Sequence, residues 1–249
     1  MKTIVMMASA LALGALALAA PAGVMARPQG NGGAQAIAGA VADKDRPEAD
    51  VARDGARKPA EMLAFAGVKA GAKVGELLPG AGYYTRILAK AVGPKGVVYI
   101  WMPSGAPAPW VARLDPILKA YPNVKLVQGD VLVAPEKLDL VWTTQNYHDL
   151  HHTGKSPEPT NAAALAALKP GGVYLVSDHA AKSGSGTADT DSLHRIDPDL
   201  VKAEVVKAGF VFGGASKALA NAEDDHTKKV FELHDKTDQF VLKFRKPAK

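Results

Sequence analysis

The chain has 249 residues, 47% of them hydrophobic, with 30 Lys+Arg against 25 Asp+Glu and a formal net charge of +5. That length supports one sizeable buried core, and the excess charge is spread along the chain rather than gathered, which leaves no footprint for a nucleic-acid partner. Cysteine is absent, so disulfides, thiolate zinc sites and cysteine nucleophiles are excluded.

Residues 1–26 stand apart. Lys2 is followed by an apolar run over 4–20 and then by Pro21-Ala22-Gly23-Val24-Met25-Ala26, with small residues at the recognition positions of a cut. This predicts a secretory signal peptide cleaved after Ala26, or alternatively after Ala22. The apolar run is short for a membrane span, so the expected product is periplasmic or secreted, keeps no stable span and carries +4, one Lys having been lost. Residues 27–52 are predicted to be a flexible leader and the start of an N-terminal helix, because 27–42 is dominated by Gly, Ala, Gln and Pro. One domain is predicted over 53–249. The segment 43–67, which crosses that boundary, reads as helical, with Met62, Leu63 and Phe65 forming an apolar patch behind Arg53, Arg57 and Lys58; it is expected to cover the sheet's edge or the mouth of a site.

Strand and helix signals then alternate: strands at 73–78, 96–102, 124–128, 138–144 and 172–178, helices at 84–92, 108–120 and 160–168. Short Val/Ile/Leu runs between helix-length segments imply a parallel sheet with helices on both faces. Gly93-Pro94 and Lys169-Pro170-Gly171-Gly172 read as helix stops. Asp197-Pro198 supplies an N-cap and a first-turn proline for a further helix. The segments 210–213 and 239–245 read as an antiparallel pair at one edge.

The densest signal is Val74 to Thr85, a buried strand ending in Glu76 and a turn containing Gly80 and Gly82. Glycine lets a backbone approach a ligand without Cβ obstruction, and the following helix aims free amides at the same place. A dinucleotide fingerprint begun at Gly80 puts Thr85 at the third glycine, which disfavours NAD. The segment instead resembles motif I of the class I S-adenosylmethionine-dependent methyltransferases, acidic-x-Gly-x-Gly-x-Gly, laid on Glu76, Leu78, Gly80 and Gly82, with Leu78 departing from the first glycine. The resemblance runs from about Arg53 to Pro247. It is closest to a bacterial group of exported predicted methyltransferases that carry Asn146-Tyr147-His148-Asp149-Leu150, His194-Arg195-Ile196-Asp197 and Lys236-Thr237-Asp238-Gln239-Phe240. It implies an α/β, Rossmann-like, seven-stranded, mostly parallel sheet with helices on both faces and an antiparallel edge strand. It also implies S-adenosylmethionine as cofactor and a small-molecule methyl acceptor.

In such sheets the ligand lies beyond the carboxyl ends of the strands. The resemblance therefore implies cofactor contacts at Glu76, Pro79, Gly80 and Gly82 after the first strand, at Asp130 and Val131 for the adenine, and at Gln145 after the fourth strand. Met102 falls where family members carry an acid for the ribose hydroxyls. A thioether cannot replace that acceptor, and its loss costs roughly 1.5–3 kcal/mol. The polar cluster Gln145, Asn146, Tyr147, His148, Asp149, His151 and His152 is the substrate-facing loop by the same resemblance. Neutral His148 is the expected general base, with Tyr147 and Asp178 beside it as catalytic candidates.

The same histidines admit a metal reading through His148, His151, His152, Asp178 and His179. Adjacent His151 and His152 diverge on regular backbone, and no His-Glu-x-x-His spacing is present, so no metal is assigned. Residues 180–192, rich in Gly, Ser and Thr, read as a lid that swings His194 and Arg195 over the pocket. Met102 and Leu78 also favour an alternative, a non-catalytic periplasmic small-molecule-binding protein on the same fold.

Overall fold

The computed structural model describes Met1 and residues 31–248; the predicted signal peptide beyond Met1 and the first residues of the leader lie outside them. Seven strands, β1 (Lys73–Leu77), β2 (Val97–Met102), β3 (Val124–Gln128), β4 (Leu138–Thr144), β5 (Leu168–His179), β6 (Val211–Ser216) and β7 (Gln239–Arg245), form one sheet in the order β3-β2-β1-β4-β5-β7-β6. The first five pair in parallel. The reversed strand is β7, antiparallel to both β5 and β6, which puts it one place in from the edge.

Strand residues alternate between two cores. Val74, Ile100, Trp142 and Leu175 join one; Leu77, Trp101, Val141 and Val176 join the other. A period of two with both faces apolar is what a sheet covered on both sides requires. The helices Pro59–Ala66 and Tyr83–Val92 close the first face through Met62, Leu63, Ile87 and Leu88. The helices Glu158–Ala167 and Pro198–Lys207 close the second through Ala164, Val201 and Val205. Asp197 accepts from the Asp199 amide at 2.9 Å, the N-cap read from sequence. Among the described residues, no helix is long and apolar enough to cross a membrane.

Three expectations change. The leader is not loose where it is described: Asn31–Val41 is a helix that buries Ile37 and Ala40 in the first core. Behind it Arg46 donates to Val41 O at 2.6 Å and pairs with Asp54 at 2.6 Å, so the packed domain begins well before Arg53. The 43–67 segment breaks into Glu48–Val51, Asp54–Arg57 and Pro59–Ala66. Pro59 disfavours the right-handed helical region for the residue before it, and Lys58 sits at φ 44°. Finally, Arg195 does not swing. Its fully buried guanidinium donates to Ala180 O and Lys228 O, each at 3.0 Å, and pairs with Asp224 at 2.8 Å, which ties 180–195 to the body.

Strand order reverses between β1 and β4, so the chain connections leave a crevice outside the carboxyl ends of those strands. The cleft described below opens there.

Candidate functional site

A cleft of 980 Å³ opens at the carboxyl ends of β1, β2 and β4, within the size range of small-molecule sites. Its floor is the turn after β1, where Leu78, Gly80 and Gly82 have φ of 50°, 60° and 80°. Leu78 occupies the position of the motif's first glycine and keeps the glycine conformation, at a cost of about 1–2 kcal/mol for a side chain with Cβ. Asn146 holds it there, donating to Leu77 O at 3.2 Å and Leu78 O at 3.1 Å while its own carbonyl accepts from the Thr143 hydroxyl. Gly80 and Pro79 line the cleft, and a Cβ on Gly80 meets nothing within 4 Å. Gly82 does not line it. It precedes the helix Tyr83–Val92, and a Cβ there would stand 2.0 Å from Ile117 Cδ1, so this glycine serves packing behind the loop.

Glu76 is 2% exposed beneath the turn and accepts from the Thr85 hydroxyl at 2.6 Å. Burial raises its pKa to about 7, against the smaller opposing effects of Thr85 and Arg86. Arg57, which also lines the cleft, donates to Gln145 Oε1 at 2.7 Å and stacks over Tyr83 at 4.8 Å. Its buried Nε makes no hydrogen bond, and Asp235 stands 3.6 Å off. Burial, then neighbouring Arg53, pull the Arg57 pKa below its ordinary value. A mostly buried guanidinium at a cleft wall, only loosely paired with its carboxylate, is a natural anchor for an anionic ligand group.

At the β2–β3 end, Met102 and Asp130 both line the cleft. The Ser104 hydroxyl reaches Asp130 Oδ1 at 3.4 Å, which sets that carboxylate beside the tip of β2. Val131 is partly buried and outside the lining. Trp110, 53% exposed, stands at the mouth with Arg113 over its ring at 6.0 Å.

The β4 end supplies the polar wall. Gln145, at φ 59°, lines the cleft and donates through Nε2 to Gln239 at 3.1 Å. Asp149 and His152 line it too. Tyr147 points away: fully buried, its hydroxyl accepts from Asn161 at 2.8 Å and donates to Glu204 at 3.1 Å, and burial raises its pKa beyond use at neutral pH. His148 is 4% exposed and sits behind the wall, Nδ1 2.9 Å from Asp178. Asp178 also accepts from the His148 and His179 amides at 2.7 Å each. Burial alone would neutralise both groups. The opposite charge outweighs it, lifting the His148 pKa and lowering that of Asp178. Asp178 is thus a positioning group, remote from the cleft.

The histidines sort differently from the sequence reading. His151 turns to Glu204 at 3.1 Å, and His179 to the Thr237 hydroxyl at 2.8 Å. Burial takes the His179 pKa down to about 4. Brought together instead are His148, Asp149, His152 and His194, whose donor atoms all lie within 4.8 Å of one another. Sequence reasoning also missed Arg53, Arg57, Tyr83, Trp110 and Arg113 as cleft residues. The helical segment before β1 was expected near a site mouth, but nothing in its spacing singled out Arg57.

No family model matches the sequence, and neither does any curated protein. Solved structures do match. A SAM dependent methyltransferase from Aquifex aeolicus superposes with a TM-score of 0.58 at 19% identity, over 78% of this chain and 93% of the other. A putative sarcosine dimethylglycine methyltransferase from Galdieria sulphuraria gives 0.56 at 15%, over 78% and 85%. The [4+2]-cyclase SpnF gives 0.57 at 15%, over 83% and 86%. At these identities the likeness establishes the fold, the Rossmann-like fold of class I methyltransferases, and fold alone does not fix chemistry.

Proposed function

We propose that the protein is an exported S-adenosylmethionine-dependent methyltransferase acting on a small-molecule acceptor. The observation that carries this is the turn of residues 78–82, left-handed at Leu78, Gly80 and Gly82 over a buried acid, at the switch point of the sheet. Bound there, the cofactor supplies an electrophilic methyl group on a sulfonium.

The residues present suit such a ligand. Arg57 at the cleft wall would hold the carboxylate of the amino-acid end, and Glu76, beneath the turn, would lie near its amino group. Open space over Gly80 admits the ligand against the backbone. Asp130, expected at the adenine, stands beside the tip of β2 through Ser104 and would instead take the ribose hydroxyls that Met102 cannot, while Trp110 would offer an aromatic face to the base. Methyl transfer is an in-line displacement, so holding donor and acceptor in line supplies most of the rate. Asp149 and His152 meet the acceptor. His148, the expected base, stands behind the polar wall and off the cleft lining, paired with Asp178, so its part is to hold Asp149, 3.3 Å from its Nε2.

A second reading is a small-molecule-binding protein without turnover. Met102 favours it, and the [4+2]-cyclase among the similar structures carries a different chemistry on this fold. Calorimetry with S-adenosylhomocysteine tests the cofactor site on which the first reading depends, with the parent compared to Asp130→Asn. We expect micromolar binding that weakens about tenfold or more in the variant, the worth of a charge-assisted contact. No binding by the parent at millimolar ligand would leave the second reading.

A further inference from the structure

We propose that His148, Asp149, His152 and His194 bind one divalent first-row transition metal ion, with Zn²⁺ the representative case, in the wall of the cleft. The set draws on two separate parts of the chain, the loop after β4 and the segment before the helix Pro198–Lys207, which the fold closes on one point.

Geometry is the first support. Three imidazoles on a tetrahedral ion with bonds of about 2.0–2.1 Å have ring centres about 5.2 Å apart. Here the separations are 5.8 Å for His148–His152, 5.3 Å for His148–His194 and 5.2 Å for His152–His194. Asp149 Oδ1 stands 3.3 Å from His148 Nε2 and 2.9 Å from His152 Nε2, close to the donor spacing of about 3.3 Å in the same coordination shell.

Orientation is the second. A ligating imidazole commonly gives its other ring nitrogen to a carboxylate, which fixes the tautomer and aims the lone pair. Two of these histidines have that support independently: His148 Nδ1 lies 2.9 Å from Asp178, and His152 Nδ1 lies 2.9 Å from Asp191. Both are left with Nε2 turned toward Asp149. His152 Nε2 is buried and makes no directed hydrogen bond, although Asp149 is near. A nitrogen shielded from water and without a hydrogen-bond partner is what an ion would satisfy. His194 completes the set from a strained left-handed position, φ 57°, with Phe231 packed on its outer side at 4.8 Å.

Three imidazoles and one carboxylate suit Zn²⁺ or a neighbouring first-row ion rather than Mg²⁺ or Ca²⁺. Because Asp149 and His152 line the cleft, the ion would touch a molecule bound there. The site does not rest on the methyl-transfer reading, since its ligands stand together whether or not the cofactor binds.

The experiment uses untagged protein, stripped with chelator and titrated with zinc chloride, and repeated with Co²⁺ for its visible absorption. We expect one Zn²⁺ per chain, tetrahedral Co²⁺ bands, and at least a hundredfold loss of affinity in His152→Ala and His194→Ala. His194 lies outside the buried core, so that variant should fold even if His148→Ala does not. Asp178→Asn should weaken binding 10–100-fold, as removal of a supporting carboxylate does, whereas His151→Ala, one residue from a ligand but turned to Glu204, should leave it unchanged. Substoichiometric binding, or full affinity in a His152→Ala/His194→Ala double variant, would overturn the proposal.

Discussion

The Glu76 carboxyl titrates at about 7 in the folded chain against an ordinary 4.5, because burial penalises its charge. Between those values the folded state keeps a proton that the unfolded state releases, so the contribution of this group is fully present below about 4.5 and lost as pH rises to about 7. Glu76→Gln fixes the neutral form. Its melting temperature, read by circular dichroism, should therefore fall less between pH 5 and pH 8 than that of the parent; parallel curves would show that Glu76 is not held neutral. The two glycines of the turn make a second contrast. Gly82→Ala drives a methyl into Ile117 from a left-handed position of its own, so in urea it should lose the backbone term of about 1–2 kcal/mol and a further roughly 1–3 kcal/mol for overpacking. Gly80→Ala enters open space and should cost only the left-handed backbone term of about 1–2 kcal/mol. Equal losses would mean that the loop relaxes away from Ile117.

Among the elements, those bounded by proline and glycine or buried on both faces were legible, and those held by single buried contacts were not. The strands β1 to β4 fall within a residue of their predicted limits: β1, β2 and β4 are buried over most of their length, and the edge strand β3 is short and follows the Pro122-Asn123 turn. At β5 the Pro170-Gly171-Gly172 stop misled: the strand begins at Leu168, next to a register shift against β4, an irregularity of the kind where proline is tolerated in a sheet. The helix Asn31–Val41 was hidden because Gly and Ala dominate it and Ile37 is its main anchor. Ile37→Ala should cost about 2–4 kcal/mol in chemical denaturation, as a buried truncation does; a change below 0.5 kcal/mol, the scale of surface substitutions, would return that segment to a loose leader. The expected place of Arg195 over the pocket changes for a related reason: composition could not show that its side chain is buried against Asp224. Asp224→Ala should destabilise by about 3–5 kcal/mol, the cost of leaving a buried charge unpaired.

Across the whole molecule, motif I announced the sheet and its switch point, so Glu76, Pro79, Gly80, Met102, Asp130 and Gln145 were found at the cleft. Sequence order could not say which way a side chain turns. Tyr147 and His148 are adjacent, yet one serves the second core and the other backs the cleft wall; His194 meets His148 only because the chain returns after β5. Export, read from residues 1–26, remains part of the proposal and sharpens it, because an exported methyltransferase must receive its cofactor from the cytosol. The most direct test is calorimetric titration of the chain from Arg27 with S-adenosylmethionine, beside Gly80→Val, whose branched side chain intrudes where the ligand must approach the backbone. Micromolar binding by the parent, lost in a variant that still folds, is the predicted result; no binding at millimolar ligand, or equal binding by the variant, would contradict the account.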